Sequence, residues 1–402
     1  MLMSYTDRSK DSGFMNDESS AGYIGKILNS KKIRYEKLNE LFENTIPTSK
    51  QLEGSQVNIY VDIASIIKQL YNPELLEHFR FLKEKDRIII SSEIINIIGH
   101  YRHYFTSRKR MYTRFFFYFS YAPSSYHTKL NPTYRKDYYD KRNNMKNATF
   151  GVLSRILQYN MKIIRSIINY IPNAYFIDSG AIEPAVIPHY IISEIAEEDD
   201  FNLLLVNDDL YYQDLFIEDR ERTYILEMRG SDKSPLLYKE NLLEYLLEDT
   251  KKTEMDFPNV FGKDILIMDG MVKHNEYDLK SIGRRGYSTS MAAINKIADR
   301  DVFSDSNYTV EAMQELASDL FASNEDNQEA YKERLVLVNH RDYMNKNFEA
   351  IQNKVESQII DLTNNVELMK LNEQIYYKYP LNLMFIMESE VDRDVLDVFN
   401  NN

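Results

Sequence analysis

The 402-residue chain contains no cysteine and no tryptophan. The lack of cysteine excludes disulfides, thiolate metal sites and thiol nucleophiles, and it suits a reducing cytoplasm. No uninterrupted apolar run approaches the roughly 18 residues that a membrane span needs. The first twenty residues are polar and lack the apolar core of a secretory signal. We therefore expect a cytoplasmic globular protein without a membrane partner.

The composition is otherwise that of an ordinary globular protein, with 43% hydrophobic and 28% charged residues. A chain of this length has room for two or three domains and a sizeable core. Its 31 tyrosines and 20 phenylalanines accompany abundant isoleucine, asparagine and lysine. This usage fits an AT-rich coding genome such as that of a phage, which would place the protein in the host cytoplasm.

Charge is spread unevenly along the chain. The net charge of −13 is a poor match to a free, nonspecific nucleic-acid binder. Residues 100–146, however, hold eleven Lys and Arg against two Asp and Glu, so the remainder carries −22. Such a basic segment is either a nucleic-acid footprint or a solvated face, and charge alone leaves both interpretations open.

Apolar patterning predicts strands that alternate with helices through residues 57–215. The strand candidates lie in "NIYVDIA", "RFFFYFSYAP", "NAYFID" and "FNLLLV", and residues 223–262 are mixed, with one helix near "KENLLEYLLED". This order predicts an α/β architecture with a mostly parallel sheet. Ligands of such sheets bind beyond the carboxyl ends of the strands. Asp62, Ser120 and Asp208 stand at predicted strand ends, so we expect them to converge on one crevice.

An ordered set of motifs resembles the 5′ nucleases of the flap-endonuclease type, and within them the RNase H-type 5′ nucleases of T-even phages. The set spans roughly residues 56–345 and includes "NIYVDIA", "FYFSYAP", "IEPAVIPHYIIS", "LLLVNDDLYYQDL" and "GRRGYSTSMAAINKI". The resemblance implies a PIN-like α/β domain over residues 51–262, with an arch at about 121–146. It also implies a helical duplex-binding subdomain over 263–345. Residues 1–50 are then a partly disordered or helical extension, and 346–402 a helical one.

The family uses grouped carboxylates to hold two divalent metal ions that activate water and stabilise the leaving oxygen. The acids that the resemblance retains here are Asp62, Glu183, Asp208, Asp209 and Asp269. At four positions where the family has an acid, this chain has a residue that binds metals weakly or not at all. These residues are Ser120, Ala185, Val186 and Leu210. We therefore expect a degenerate site with no catalytic residues and no cofactor. Mg²⁺ or Mn²⁺ would be required only if the protein is active.

The DNA-handling parts of the family are better preserved. The arch combines tyrosines with basic residues, a mixture suited to base stacking and to phosphate contacts. Its basic residues are Arg135, Lys136, Lys141 and Arg142. The loop of "IGRRGYSTSMAAINKI" leads into a helix that Ser288 or Ser290 is expected to cap. There, Arg284 and Arg285 would add contacts to phosphate. His100 and His103 stand at i, i+3, a spacing that fits a metal pair but, without a third ligand, favours a basic helix surface.

Three functions remain open. The first is a catalytically inactive DNA-binding accessory subunit of a phage replication or transcription (polymerase) complex. The second is an active 5′–3′ exonuclease or flap endonuclease with a rearranged acid cluster, and the third is a structural packing module. Apolar positions in residues 21–47 and in "NEQIYYKYPLNLMFIM" near the C-terminus need a surface to cover them. Either both segments pack on the nuclease-like body, or at least one docks to phage polymerase or replication proteins, and we expect the second.

Overall fold

The computed structural model has a six-stranded sheet in which all strands but the last are parallel. The strands are β1 (Gln56–Asp62), β2 (Tyr112–Phe119), β3 (Ala174–Asp178), β4 (Phe201–Val206), β5 (Thr223–Glu227) and β6 (Leu236–Leu237). Their spatial order is β3-β2-β1-β4-β5-β6. The structure describes residues 42–43, 55–70, 94, 97–120, 123–136, 161, 164–165, 168–169, 171, 173–206, 222–227, 236–238, 241–242, 245–246, 267–272, 279–284, 286–297, 310–322 and 324–359.

Helices flank the sheet and continue after it. They are α1 (Ile63–Leu70), α2 (Ser125–Leu130), α3 (Val186–Tyr190), α4 (Tyr287–Ile294), α5 (Val310–Glu315), α6 (Ala317–Leu320), α7 (Glu325–Val338), α8 (His340–Lys346) and α9 (Phe348–Glu356). Two π-helical turns, Tyr104–Lys109 and Ile191–Ile195, precede β2 and follow α3. Among these described helices, none has the length and apolarity to cross a membrane.

The central strands are apolar on both faces because helices cover both faces of the sheet. Phe115 and Phe117 of β2 point into one core, together with the helical residues before β2. Phe116 and Tyr118 point into the other, which α3, α4 and the C-terminal helices complete. The continuous aromatic run of β2 is thus explained by two cores that meet at one strand.

The C-terminal helices share the second core with the sheet. Ile351 and Val355 of α9 are fully buried in it. Beyond α9, the Gln358 amide accepts from the Asp178 N–H at 3.0 Å and donates to the Asp178 carbonyl at 3.1 Å. Gln358 therefore pairs with the outer edge of β3, an edge that would otherwise expose unpaired backbone groups.

One residue of the N-terminal extension belongs to the first core. Phe42 is fully buried, and its ring lies 5.4 Å from that of Tyr104 and 6.1 Å from that of Phe105. The next residue, Glu43, pairs with Lys109 at 3.3 Å. The chain around residue 42 is therefore part of the nuclease-like body. The other apolar positions predicted in residues 21–47, and the C-terminal apolar segment, lie outside the described residues.

The predicted fold class is confirmed, with four strands at the predicted segments and a mostly parallel sheet between helices. The sequence interpretation did not identify β5 and β6, which are short and lie at one side of the sheet. The predicted capping of α4 by Ser288 or Ser290 is wrong. The helix begins after Gly286, whose N–H donates to Thr289 Oγ1 at 3.0 Å, while Ser290 is buried inside the helix.

Candidate functional site at the carboxyl edge of the sheet

Asp62 ends β1 at the carboxyl edge, and Ser120 follows β2 beside it. The Asp62 carboxylate is used locally. Its Oδ1 accepts from the Ala64 N–H at 3.0 Å, and its Oδ2 accepts from the Ser65 hydroxyl at 2.6 Å. Asp62 therefore satisfies backbone and side-chain donors at the start of α1, as an N-terminal capping residue does. It is half-buried, so part of the residue remains accessible to solvent.

Glu183 is completely buried, is paired with Arg135 and lies close to His127. Arg135 Nη1 donates to its Oε1 at 2.8 Å, and His127 Nδ1 lies 3.4 Å from its Oε2. The His127 contact is long, and we treat it as an electrostatic contact rather than a well-aligned hydrogen bond. Burial raises the pKa of Glu183, but the His127 contact and the Arg135 charge outweigh it and hold the pKa at about 2. The carboxylate is ionised and already paired inside the protein.

Aromatic rings enclose the histidine of this cluster. The His127 ring lies 4.7 Å from the ring of Tyr134 and 4.7 Å from that of Tyr343, at interplanar angles of 27° and 34°. Tyr126 meets its edge at 5.4 Å. Because Tyr343 belongs to α8 and His127 to α2, these contacts join the segment after β2 to the C-terminal helices.

The backbone at Arg135 is unusual for a residue with a side chain. Its φ is 50°, in the left-handed region that costs a non-glycine residue about 1 kcal/mol or more. This turn directs Arg135 into the interior, where it is buried, and leaves the next residue, Lys136, exposed. The ion pair with Glu183 offsets the free-energy cost of this backbone conformation. The sequence interpretation placed Arg135 on a DNA-facing arch, whereas the structure places its guanidinium in the core.

Asp269 lies in a short helical turn, 267–269, and is buried. The Tyr287 hydroxyl donates to its Oδ1 at 3.2 Å. The adjacent Gly270 packs so closely on Tyr331 of α7 that a Cβ there would lie 2.6 Å from the ring. Asp269 thus connects the turn to the first residue of α4.

The loop before α4 contains two glycines. Gly283 has a φ of 58° within the turn Ile282–Arg284, and a Cβ added at Gly286 would meet nothing within 4 Å. The chain is therefore uncrowded at Gly286, directly before the N-terminus of α4, although the Gly286 N–H itself donates to Thr289 Oγ1. Free backbone amides and the helix dipole at a helix N-terminus favour an anion. Arg284 belongs to this turn, but its side chain and Arg285 lie outside the described residues.

Several other predicted residues also fall outside the described part of the chain: Asp208, Asp209, Lys141 and Arg142. His103 contacts the Ser107 hydroxyl at 3.4 Å through Nδ1, which uses that nitrogen locally. Sequence reasoning missed two residues of the edge, His127 and Asp178. Asp178 ends β3, and its Oδ1 accepts from the Gly180 N–H at 2.8 Å. A lone histidine in a polar, weakly periodic segment carries no signal that would have identified it.

The described residues do not fit a divalent metal at Glu183. A metal there would need both a deprotonated oxygen and room for other oxygen ligands or water. Both Glu183 oxygens face cationic or imidazole nitrogens, and Ala185 and Val186 close the neighbouring positions as fully buried apolar residues. Within the described ranges there is no group of three or more histidine and acidic side chains that could hold a metal ion.

Comparison with known proteins shows the class of fold. The chain is similar to the bacteriophage T5 D15 protein co-crystallised with metal ions, with a TM-score of 0.50, 13% identity, and coverage of 75% of this chain and 98% of that one. It is also similar to a pseudo-enzyme–product complex of the bacteriophage T5 flap endonuclease with DNA and metal ions. There the TM-score is 0.51, the identity 12%, and the coverage 79% and 99%.

No family model matches the chain, and no curated protein matches it by sequence. The structural matches establish a 5′-nuclease-like fold that resembles the flap endonucleases. The matches cover nearly the whole length of the T5 proteins and 75% and 79% of this chain.

Proposed function

We propose that the chain is a catalytically inactive, 5′-nuclease-like DNA-binding subunit of a phage replication or transcription complex. The observation that carries the loss of catalysis is the burial of Glu183 against Arg135 at 2.8 Å. A two-metal mechanism needs carboxylates that are open to metal ions. Here Glu183 is paired with Arg135, Asp62 caps α1 and Asp269 accepts from Tyr287.

DNA binding is supported by the open loop before α4 and by Lys136, which is exposed beside the buried Arg135. The similar T5 flap endonuclease structure is a complex with DNA and metal ions. Lys136, Lys141 and Arg142 would contact the DNA backbone from the segment after α2. Arg284 and Arg285 would do so from the loop before α4.

The acidic remainder of the chain favours a role inside an assembly over free DNA binding. A net charge of −13 opposes association with a polyanion unless a partner neutralises or covers part of it. We propose that residues 1–41 and the segment after residue 359 supply contacts to phage polymerase or replication proteins. The nuclease-like body, which includes Phe42, would then present the DNA-binding edge.

The test is an incubation of the purified full chain with end-labelled 5′-flap, nicked-duplex and RNA–DNA hybrid substrates in Mg²⁺ or Mn²⁺. We expect binding by fluorescence anisotropy and intact strands on denaturing gels. Cleavage that disappears in Asp62→Ala would instead establish the second candidate, an active nuclease. The half-exposed position of Asp62 next to β4 is the observation that favours this candidate.

A further inference from the structure

The cluster of Glu183, Arg135 and His127 contains its own counter-ion, the Arg135 guanidinium. Its acid is fully buried, its guanidinium side chain is 6% exposed, and its imidazole is fully buried between two tyrosine rings. A buried carboxylate is costly unless a cation and hydrogen bonds compensate it. In a metal-dependent site the metal ion supplies that compensation.

We propose that the Arg135 guanidinium replaces a divalent cation as the structural counter-ion of Glu183, so that this end of the sheet folds and holds its shape without metal. Arg135 is then a positioning residue. Its left-handed backbone and its ion pair fix the point at which the chain leaves the interior, and the exposed Lys136 follows directly.

The chemistry of the pair supports this assignment. A guanidinium keeps its charge at any physiological pH and is weakly hydrated, so it enters a dry interior at lower cost than a hydrated Mg²⁺ ion, which retains several waters. The cluster also spans three parts of the chain. Arg135 follows α2, Glu183 precedes α3, and Tyr343 of α8 packs on His127. Removing the cation should therefore loosen the basic segment and the C-terminal helices together.

The test compares thermal unfolding of the full chain in EDTA and in millimolar Mn²⁺ for four proteins: wild type, Arg135→Gly, Arg135→Lys and the double variant Arg135→Gly with Glu183→Gln. Glycine accepts the positive φ, so Arg135→Gly removes the cation without adding backbone strain. We expect the wild-type Tm to be the same in both buffers. We expect Arg135→Gly to lower Tm in EDTA, on the order of 10 °C.

We expect Mn²⁺ to restore little of the Tm of Arg135→Gly, because Ala185 and Val186 close the positions of further ligands. The double variant buries no unpaired charge and should lose less Tm than Arg135→Gly. Arg135→Lys keeps the charge and should lose less than half as much Tm as Arg135→Gly. The proposal is overturned if Mn²⁺ raises the wild-type Tm through Glu183, or if Arg135→Gly keeps the wild-type Tm in EDTA.

If Arg135→Gly does not fold, thermal unfolding of Arg135→Lys tests the proposal instead. A cooperative transition near the wild-type Tm supports the counter-ion role, and a loss of folding in Arg135→Lys as well overturns it. None of these readouts involves DNA or cleavage, so the inference stands or falls independently of the proposed function.

Discussion

The hydroxyl of Tyr287, the first residue of α4, donates a 3.2 Å hydrogen bond to Oδ1 of the buried Asp269. This bond ties the N-terminus of α4 to the turn that packs on α7. It gives a structural role to an acid that the resemblance to 5′ nucleases implied as a residual metal ligand, only if the protein is active. Asp269 is thus joined through Tyr287 to the end of the loop before α4.

Tyr287→Phe should weaken binding of a 5′-flap duplex by up to about fivefold, because one hydrogen bond contributes on the order of 1 kcal/mol to holding the loop. Fluorescence anisotropy at fixed ionic strength measures the effect. Tyr112→Phe is the matched control, since Tyr112 is 69% exposed at the start of β2. Equal affinity of Tyr287→Phe and wild type would show that Asp269 does not position the loop for DNA.

Lys136→Glu should weaken DNA binding and reduce the dependence of the affinity on salt. Each phosphate contact releases about one counterion, so loss of one contact lowers the slope of log K against log salt by about 1. The control is Arg222→Glu, which makes the same charge change at the amino end of the sheet, where Arg222 contacts Asp199. If both variants lower affinity equally, only net charge matters and the basic segment makes no specific contact.

Glu183→Gln should destabilise the protein by about 3–5 kcal/mol at pH 7, because it leaves the buried Arg135 without its counter-charge. The pKa of Glu183 is depressed from 4.5 to about 2, so its contribution is present above about pH 4.5 and is lost as the pH falls towards 2. The free-energy difference between wild type and variant should therefore narrow below about pH 4.5. Urea unfolding followed by far-ultraviolet circular dichroism measures it. A difference that stays constant from pH 7 to pH 3 would contradict the ionised pair.

Deletion of residues 1–35 should abolish co-purification with phage proteins while leaving a cooperative thermal transition. Deletion of residues 1–50 removes Phe42 from the first core and should lower Tm as well. Phe42→Ala in the full chain separates the two effects, with an expected cost of about 3–5 kcal/mol and retained partners. If the 1–35 deletion keeps its partners, the N-terminal segment is not the docking element.

The sheet could be predicted from sequence because its signal is local. The aromatic run of β2 and the apolar run of β4 identify strands buried on both faces, and the positions of Asp62 and Ser120 follow from where β1 and β2 end. The hydroxyl that caps α4 belongs to Thr289, one residue away from the predicted Ser288 or Ser290. It bonds the N–H and the carbonyl of Gly286, and the sequence does not specify the backbone turn at Gly286 that allows this.

The central cluster could not be predicted for a physical reason. Arg135 and Glu183 are 48 residues apart, and their contact depends on a positive φ that a side-chain-bearing residue rarely adopts. Local charge indicated that Arg135 was a surface residue because arginine is almost never buried unless paired. His127 is placed by the six-residue helix α2, too short to produce a periodic pattern.

The most direct test of a site occupied by an internal cation is a crystal structure of the full chain grown in Mn²⁺, with diffraction recorded at the manganese absorption edge. We expect no anomalous peak at coordinating distance from Glu183, and we expect Arg135 Nη1 in hydrogen-bonding contact with its Oε1. A manganese ion bound to Glu183, with Arg135 displaced, would contradict it.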